Sequence, residues 1–172
     1  MKKAKSAAAR VGVVLGSDSD VEMLKTCFTT LKEFDIAFEV RVISAHRTPA
    51  AAHEYATTAV ARGLQVLIAA AGGAAHLAGL LASLTPLPVI GIPVHTSGLS
   101  GLDSLLSTVQ MPSGVPVATV AVGKSGPVNA AVLAAQILAT ADGALRGKIV
   151  AYKEKMAEQV AIADENVRAA HA

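Results

Sequence analysis

Three short polar segments of this chain hold residue types that bind small anions and move protons. They are Gly16-Ser17-Asp18-Ser19-Asp20, Ser44-Ala45-His46-Arg47-Thr48-Pro49 and Gly72-Gly73-Ala74-Ala75-His76-Leu77. Each segment follows a short apolar run with β-branched residues and opens a helical pattern. Loops at the carboxyl ends of parallel strands share one edge of a sheet, so the sequence predicts that these segments meet around one ligand.

The second segment places a proton carrier beside an anion-binding group. The Arg47 guanidinium has a fork of donors that matches phosphate, and the helix that starts after it contributes free N–H groups. An imidazole has an unperturbed pKa of about 6.5, so His46 can give or take a proton near neutral pH. A surface histidine without a role is the alternative that the residues leave open.

The first and third segments add binding groups. Ser17, Asp18 and Asp20 offer oxygen atoms to a sugar diol, although helix capping also explains them. The Gly72-Gly73 pair lets a ligand approach the backbone closely, although tight helix–sheet packing explains it equally well. The first segment lacks the spacing of a Walker A loop and of the Rossmann glycine fingerprint, so a nucleoside triphosphate is not indicated.

Histidines that follow separate strands raise the alternative of a metal site. His46, His76 and His95 together would suit zinc and a metal-dependent hydrolase. We do not favour this interpretation, because no His-x-x-x-His pair and no carboxylate pattern accompanies them. A nucleophile is also not indicated, since Gly-x-Ser-x-Gly is absent and Cys27 falls inside the first predicted helix.

Strands and helices alternate along the chain. The predicted strands are Val11–Leu15, Phe38–Ile43, Val66–Ala71, Val89–Val94 and Val117–Val122. The predicted helices run from Ser19 to about Phe34, from Pro49 to Arg62, over Ala75–Leu84, Leu102–Val109 and Asn129–Ala141, and from Leu145 to about Ala163. Ser19 with Glu22 forms a capping-box signature, and Thr48 before Pro49 is a second predicted N-cap.

This alternation predicts a three-layer αβα sandwich with a flavodoxin-like parallel sheet of about five strands. We expect a basic N-terminal tail over residues 1–9 and an α/β domain with the predicted site over residues 10–142. Residues 143–172 form a C-terminal helix and tail, which we expect to pack on a neighbouring subunit. A simple surface helix is equally compatible with the sequence.

Composition excludes several classes of protein. A chain of 172 residues suits one domain, and 52% hydrophobic residues with only 3% aromatics suit close packing and subunit contacts. A net charge of +2 argues against a nucleic-acid binder. The single cysteine indicates a reducing, cytosolic setting. The uncharged stretch between Arg62 and Asp103 is attributed to buried parallel strands rather than to a membrane span.

The three segments, in this order, stand with Ser107-Thr108-Val109-Gln110-Met111-Pro112, Gly114-Val115-Pro116 and the run from Asn129 to Leu138. As an ordered set they closely resemble the 5-(carboxyamino)imidazole ribonucleotide mutase family, over about residues 10 to 142. The resemblance implies a cytoplasmic homo-octamer with sites at subunit junctions and a reaction without metal, ATP or biotin. It leaves open a transient contact with the synthetase that makes the substrate.

The resemblance also implies a reaction and a set of site residues. The carboxyl group of the ribonucleotide moves from the exocyclic nitrogen to a ring carbon, with His46 as general acid and base. Ser17 and Asp20 hold the ribose and phosphate end, and Arg47 holds the phosphate. All the residues assigned to substrate binding are Ser17, Ser19, Asp20, Ser44, Ala45, Arg47, Gly72, Gly73, Ala74, His76 and Leu77.

Two departures and two alternatives accompany the resemblance. Ala78 stands where the family usually has proline, and Ala118 stands where it commonly has glycine. The form of the third segment around His76 resembles the mutase class rather than the relatives that carboxylate aminoimidazole ribonucleotide directly with carbon dioxide. Direct carboxylation stays an alternative, as does a non-catalytic module that binds a ribonucleotide phosphate.

Overall fold

A computed structural model describes residues 8–171, so most of the predicted basic tail lies outside the described residues. The strands are β1 (Val11–Leu15), β2 (Phe38–Val42), β3 (Val66–Gly72), β4 (Val89–Val94) and β5 (Ala118–Thr119). The helices are α1 (Val21–Glu33), α2 (Pro49–Thr58), α3 (Leu77–Leu84), α4 (Leu102–Val109), α5 (Ser125–Ala139) and α6 (Gly143–Ala170).

The strands form one parallel sheet in the order β2-β1-β3-β4-β5, which is the flavodoxin-like order predicted from the sequence. The direction of winding reverses between β1 and β3. Leu15 at the end of β1 lies opposite Val42 of β2 and Ala70 of β3. The loops that follow these three strands therefore leave the sheet at the same level, beside the switch point where ligands bind in this class of fold.

Alternate side chains of the sheet enter two separate cores. Val13 belongs to the core under α1 and α5, whereas its neighbour Val14 belongs to the core under α2 and α3. Cys27 of α1 lies fully buried in the first core, and this burial raises the pKa of its thiol to about 12. The thiol is therefore protonated at neutral pH, as expected of a cysteine packed in a core rather than of a nucleophile.

The predicted capping box at the start of α1 is wrong. A 3-10 turn over Asp18–Asp20 precedes the helix, so the cap moves upstream to Ser17, whose Oγ accepts from the Ser19 N–H at 3.3 Å. Glu22 instead forms an ion pair with Lys25 at 2.6 Å. Thr48 does occupy the N-cap position of α2, but its Oγ1 accepts from the Ser44 N–H rather than capping the helix.

Several element boundaries differ from the prediction, and each difference has a local cause. β5 is shorter than predicted, since only Ala118 and Thr119 pair with β4, its single neighbour in the sheet. Two successive three-residue turns delay the start of α3 to Leu77. α5 begins early, at Ser125, since a proline at position 127 is tolerated in the first turn of a helix. α6 continues past Ala163 to Ala170.

Within the described part of the chain, α6 packs on other elements only through its first turns. Leu145 and Ile149 are buried, and the Tyr152 ring lies 5.3 Å from the Phe34 ring. The helix beyond Tyr152 is exposed. Within the described residues, no helix combines the length and apolar character needed to cross a membrane, and the uncharged stretch forms β3, α3 and β4.

Candidate active site

The carboxyl ends of β1 to β4 surround an open cavity of about 600 Å³. All three polar segments contribute to it, as predicted from their positions after the strands. The residues that line it are Gly16, Ser17, Ser19, Asp20, Ser44, Ala45, His46, Arg47, Ala71, Gly72, Ala74, His76, Leu77, Val94, His95 and Thr96. Of the residues assigned to the site from the sequence, only Gly73 is not among them.

Two histidines from different segments meet at this cavity. His46 Nε2 lies 2.9 Å from His76 Nδ1, and the two rings stand nearly perpendicular with their centroids 5.0 Å apart. A hydrogen bond between ring nitrogens requires one of them to carry hydrogen and the other to offer a lone pair. The contact therefore places one hydrogen between the two rings, with one ring as donor and the other as acceptor.

The segment that carries His46 is fixed by its own hydrogen bonds. The Thr48 hydroxyl accepts from the Ser44 N–H and donates to the Ser44 carbonyl, both at 3.0 Å. The Ser44 hydroxyl accepts from the Arg47 N–H at 3.2 Å. These bonds hold a tight turn from residue 44 to residue 48, so the imidazole in its middle is positioned before any ligand arrives.

Arg47 spans the first two segments. Its guanidinium donates to the Gly16 carbonyl and to Ser44 Oγ, both at 3.4 Å. These are long bonds to neutral acceptors, and within residues 8–171 no carboxylate forms an ion pair with this side chain. The positive charge therefore stays available to an anion in the cavity.

The first segment contributes a carboxylate of altered acidity. Burial raises the pKa of Asp20 above its usual value. A hydrogen bond from Ser19 lowers it, and the neighbouring charge of Asp18 raises it further. The ionised form of the carboxyl group is thus less stable here than in water. Hydroxyl groups of a ligand would donate hydrogen bonds that stabilise the carboxylate.

A fourth loop, after β4, completes the cavity. His95 and Thr96 line it, and the Thr96 hydroxyl donates to the Asp103 carboxylate at 2.8 Å. From the sequence, His95 was a candidate only as a metal ligand, and Thr96 was not predicted to belong to the site. Their positions in the sequence could have assigned both residues to the site, because they directly follow a strand at the same edge of the sheet as the other segments.

The third segment turns part of its backbone away from the cavity. Gly73 has a φ of +67°, a conformation that favours glycine, and its N–H donates to Ser104 Oγ of α4 at 2.9 Å.

Regarding metals, no group of three or more His, Cys, Asp or Glu side chains in residues 8–171 is placed to hold an ion. His95 thus does not complete a ligand set with His46 and His76.

Comparisons with known proteins agree with this geometry. The family model described as AIR carboxylase matches residues 10–159. The chain belongs to the AIR carboxylase family. This membership confirms the family resemblance that the ordered motifs indicated.

Relatives in the AIR carboxylase family match nearly the whole chain. The N5-carboxyaminoimidazole ribonucleotide mutase of Mycobacterium tuberculosis is 55% identical over 159 residues, which cover 92% of this chain and 90% of the relative. The mutase of Thermotoga maritima is 54% identical over 151 residues, which cover 88% and 87%. The crystal structure of Treponema denticola PurE superposes with a TM-score of 0.82 at 28% identity, covering 91% of this chain and 96% of that chain.

Proposed function

We propose that this chain is an N5-carboxyaminoimidazole ribonucleotide mutase of purine biosynthesis. It moves the substrate's carboxyl group from the exocyclic nitrogen to ring carbon 4 and yields 4-carboxy-5-aminoimidazole ribonucleotide. The observation that carries the proposal is the contact of His46 with His76 at a cavity that also holds the unpaired cation of Arg47. Relatives that are 54% and 55% identical bear the name of this mutase.

The cavity offers a distinct group to each part of the ribonucleotide. Arg47 suits the phosphate, because the guanidinium has a fork of donors that matches the phosphate oxygens. Ser17, Ser19 and Asp20 suit the ribose hydroxyls. Ser44 and Ala45 in the second segment, with Gly72 and Ala74 in the third, line the cavity where they can face the aminoimidazole and its carboxyl group.

His46 would act first as an acid and then as a base. The imidazolium gives its proton to the exocyclic nitrogen as the bond from that nitrogen to the carboxyl carbon breaks, which releases carbon dioxide and a free amine. Ring carbon 4 then attacks carbon dioxide, and His46 removes the hydrogen from that carbon as a proton. The two transfers run in opposite directions, so one imidazole returns to its starting state.

His76 supports this cycle from the other side of the bond. When His46 is cationic, its Nε2 hydrogen can be donated to the Nδ1 lone pair of neutral His76 at the observed 2.9 Å. When His46 is neutral, Nε2 keeps this hydrogen and the same bond persists, so the proton exchanged with the substrate is the one on Nδ1. The partner ring therefore accommodates both protonation states of His46 without moving.

Trapping carbon dioxide requires small, apolar walls near the ring. Gly72 and Ala74 carry little or no side chain at the cavity, and Leu77 is almost fully buried behind them. His46 and His76 are exposed in the single chain. A neighbouring subunit over this face would exclude water, and this is part of why we propose a homo-octamer with sites at subunit junctions.

Two exposed apolar surfaces support assembly. Leu102, Leu106 and Val109 lie on α4, next to the loop that borders the cavity, and each is at least 45% exposed. Val160, Ile162 and Val167 lie on the distal half of α6, and each is at least 58% exposed. We propose that both surfaces contact neighbouring subunits, that the assembly is cytoplasmic, and that it contacts the synthetase that makes the substrate only transiently.

The proposed function is tested by assaying the purified protein on N5-carboxyaminoimidazole ribonucleotide, whose spontaneous decay sets the background. We expect the protein to form the ring-carboxylated product faster than that decay, and added bicarbonate to leave the rate unchanged. Consumption no faster than the decay would contradict the proposal. Activity on aminoimidazole ribonucleotide that depends on bicarbonate would instead favour direct carboxylation.

A further inference from the structure

Hydrogen bonds from side chains of α4 hold the loop that carries His76. The Ser104 hydroxyl accepts a hydrogen bond from the Gly73 N–H at 2.9 Å. The same hydroxyl donates to the Val94 carbonyl at 2.6 Å. Ser104 therefore ties together the ends of β3 and β4, the two strands from which the third and fourth loops depart.

The Ser104 hydroxyl serves the two hydrogen bonds to Gly73 and Val94. Its side chain is 0% exposed, and polar groups are rarely buried so deeply unless their hydrogen bonds are satisfied. Its donor and one acceptor lone pair are both used. It does not line the cavity and cannot reach a ligand there.

A second α4 side chain strengthens the attachment. The Ser107 hydroxyl lies 3.3 Å from the Gly73 carbonyl and 2.7 Å from the Asp103 carbonyl one helical turn earlier. Its hydrogen is shared between these two acceptors, so its hold on Gly73 is weaker than that of Ser104. Both polar backbone groups of Gly73 are thus engaged by α4.

The chain between Gly73 and His76 has little freedom to absorb a displacement. The Ala75 N–H donates to the Gly73 carbonyl and the His76 N–H donates to the Ala74 carbonyl, both at 2.8 Å. The His76 carbonyl then accepts from Leu80 in the first turn of α3. A shift at Gly73 is therefore transmitted to the imidazole of His76 and to its bond with His46.

We propose that Ser104, assisted by Ser107, is a positioning residue that holds His76 within hydrogen-bond reach of His46. This inference rests on the proposed function for its consequence in catalysis, but its geometric content stands apart from it. Without the Ser104 hydroxyl, the Gly73 N–H loses its partner and the turn that leads to His76 relaxes. A displacement of about 1 Å at a catalytic group can lower a rate by about a hundredfold.

The test compares Ser104→Ala and Ser107→Ala with the control Thr108→Val. Thr108 is also buried on α4, but its hydroxyl donates only to the helical carbonyl of Ser104 and does not touch the third loop. For Ser104→Ala we expect kcat to fall by about tenfold to a hundredfold, with KM within about twofold of the wild type. Ser107→Ala should produce a smaller fall in kcat, and Thr108→Val should keep the wild-type kcat.

Crystal structures of the same variants provide a readout that does not depend on turnover. In Ser104→Ala the distance from His46 Nε2 to His76 Nδ1 should exceed hydrogen-bond range, whereas Thr108→Val should keep it. A retained bond with wild-type kcat would overturn the inference, as would an equal fall in kcat for Thr108→Val. If Ser104→Ala fails to fold, an unchanged kcat in Ser107→Ala overturns it. A wild-type protein without mutase activity defeats the proposed function, while the distances still decide the positioning role.

Discussion

The bond between His46 and His76 is the feature on which the proposed proton transfer depends. It joins two loops that are thirty residues apart in sequence, and it leaves the histidine pair at the rim of a cavity with an available cation. The arrangement suits proton transfer because an imidazole exchanges protons near neutral pH. It does not require an additional acid or base.

Replacing His46 by asparagine tests this role at the residue scale. Asparagine keeps a polar side chain of similar reach but cannot carry a proton, so we expect kcat to fall by about 10² to 10⁴-fold or more. Binding of the product, measured by calorimetry, should stay largely intact. The control is His53→Asn, which changes an exposed histidine on α2 outside the cavity and should leave kcat unchanged.

Asp20 allows a prediction of pH dependence. Its pKa is raised in the folded protein, chiefly by burial, so the folded state binds its proton more tightly than the unfolded chain does. The free energy of unfolding therefore falls as the pH rises from the unfolded pKa, near 3.8, through the raised folded value. Asp20→Asn should have a higher Tm than the wild type at pH 7.

The gain in Tm for Asp20→Asn should disappear below pH 3.8, where the carboxyl group is protonated in both states. The same variant should bind the ribonucleotide less tightly, because a ribose hydroxyl would donate to a neutral amide oxygen instead of a charged carboxylate. Glu22→Gln, at an exposed carboxylate early in α1, should show neither effect. A Tm difference that is the same at all pH values would show that ionisation of Asp20 is not its cause.

At the scale of elements, α2 packs on β1 through a tyrosine with an unmatched hydroxyl. The Tyr55 side chain is almost fully buried, and its hydroxyl has no hydrogen-bond partner within the described residues. It occupies the space beside Gly12, where a Cβ atom would lie only 2.3 Å from the hydroxyl oxygen. Gly12 is therefore required by the packing of α2 against the sheet.

Tyr55→Phe is expected to stabilise the protein. Removing a buried hydroxyl without a partner relieves a desolvation cost, so the free energy of unfolding in urea should rise by about 1 kcal/mol. The aromatic packing and the stacking of Arg62 on the ring are retained. A loss of stability of similar size would mean that the hydroxyl has a partner after all.

Strands that are buried on both faces were predicted well from the sequence. Details that depend on neighbouring elements were missed. β1, β3 and β4 are buried on both faces and read as short apolar runs, so their positions were predicted within one residue. β5 was predicted too long because its apolar residues suit a strand but do not reveal that only two of them pair with β4. The start of α1 was misplaced because Ser17 and Ser19 are both good caps.

The site was predictable where the fold rule alone determines it. Loops after parallel strands converge, so His46, Arg47 and Asp20 could be expected around one cavity. The direct contact with His76 depends on how the third loop is turned, which the sequence does not reveal. The role of Ser104 depends on contacts to Gly73 and Val94, which come from other elements and are distant in sequence.

At the scale of the molecule, the distal half of α6 has no packing partner among residues 8–171. Its apolar side chains stay exposed although it is a regular helix to Ala170. The double change Val160→Glu with Val167→Glu should lower the assembled mass measured by light scattering and also reduce activity. The control is Glu158→Gln on the same helix, which should keep both, and an unchanged mass in the double variant would contradict the proposed contact.

The proposed mechanism requires that carbon dioxide stays in the cavity between its release and its capture. The most direct measurement uses substrate labelled with ¹³C in the carboxyl group on nitrogen, turned over in unlabelled bicarbonate. The account predicts that the label is retained in the ring carboxyl of the product. Product carrying the unlabelled carbon of the bicarbonate pool would contradict it.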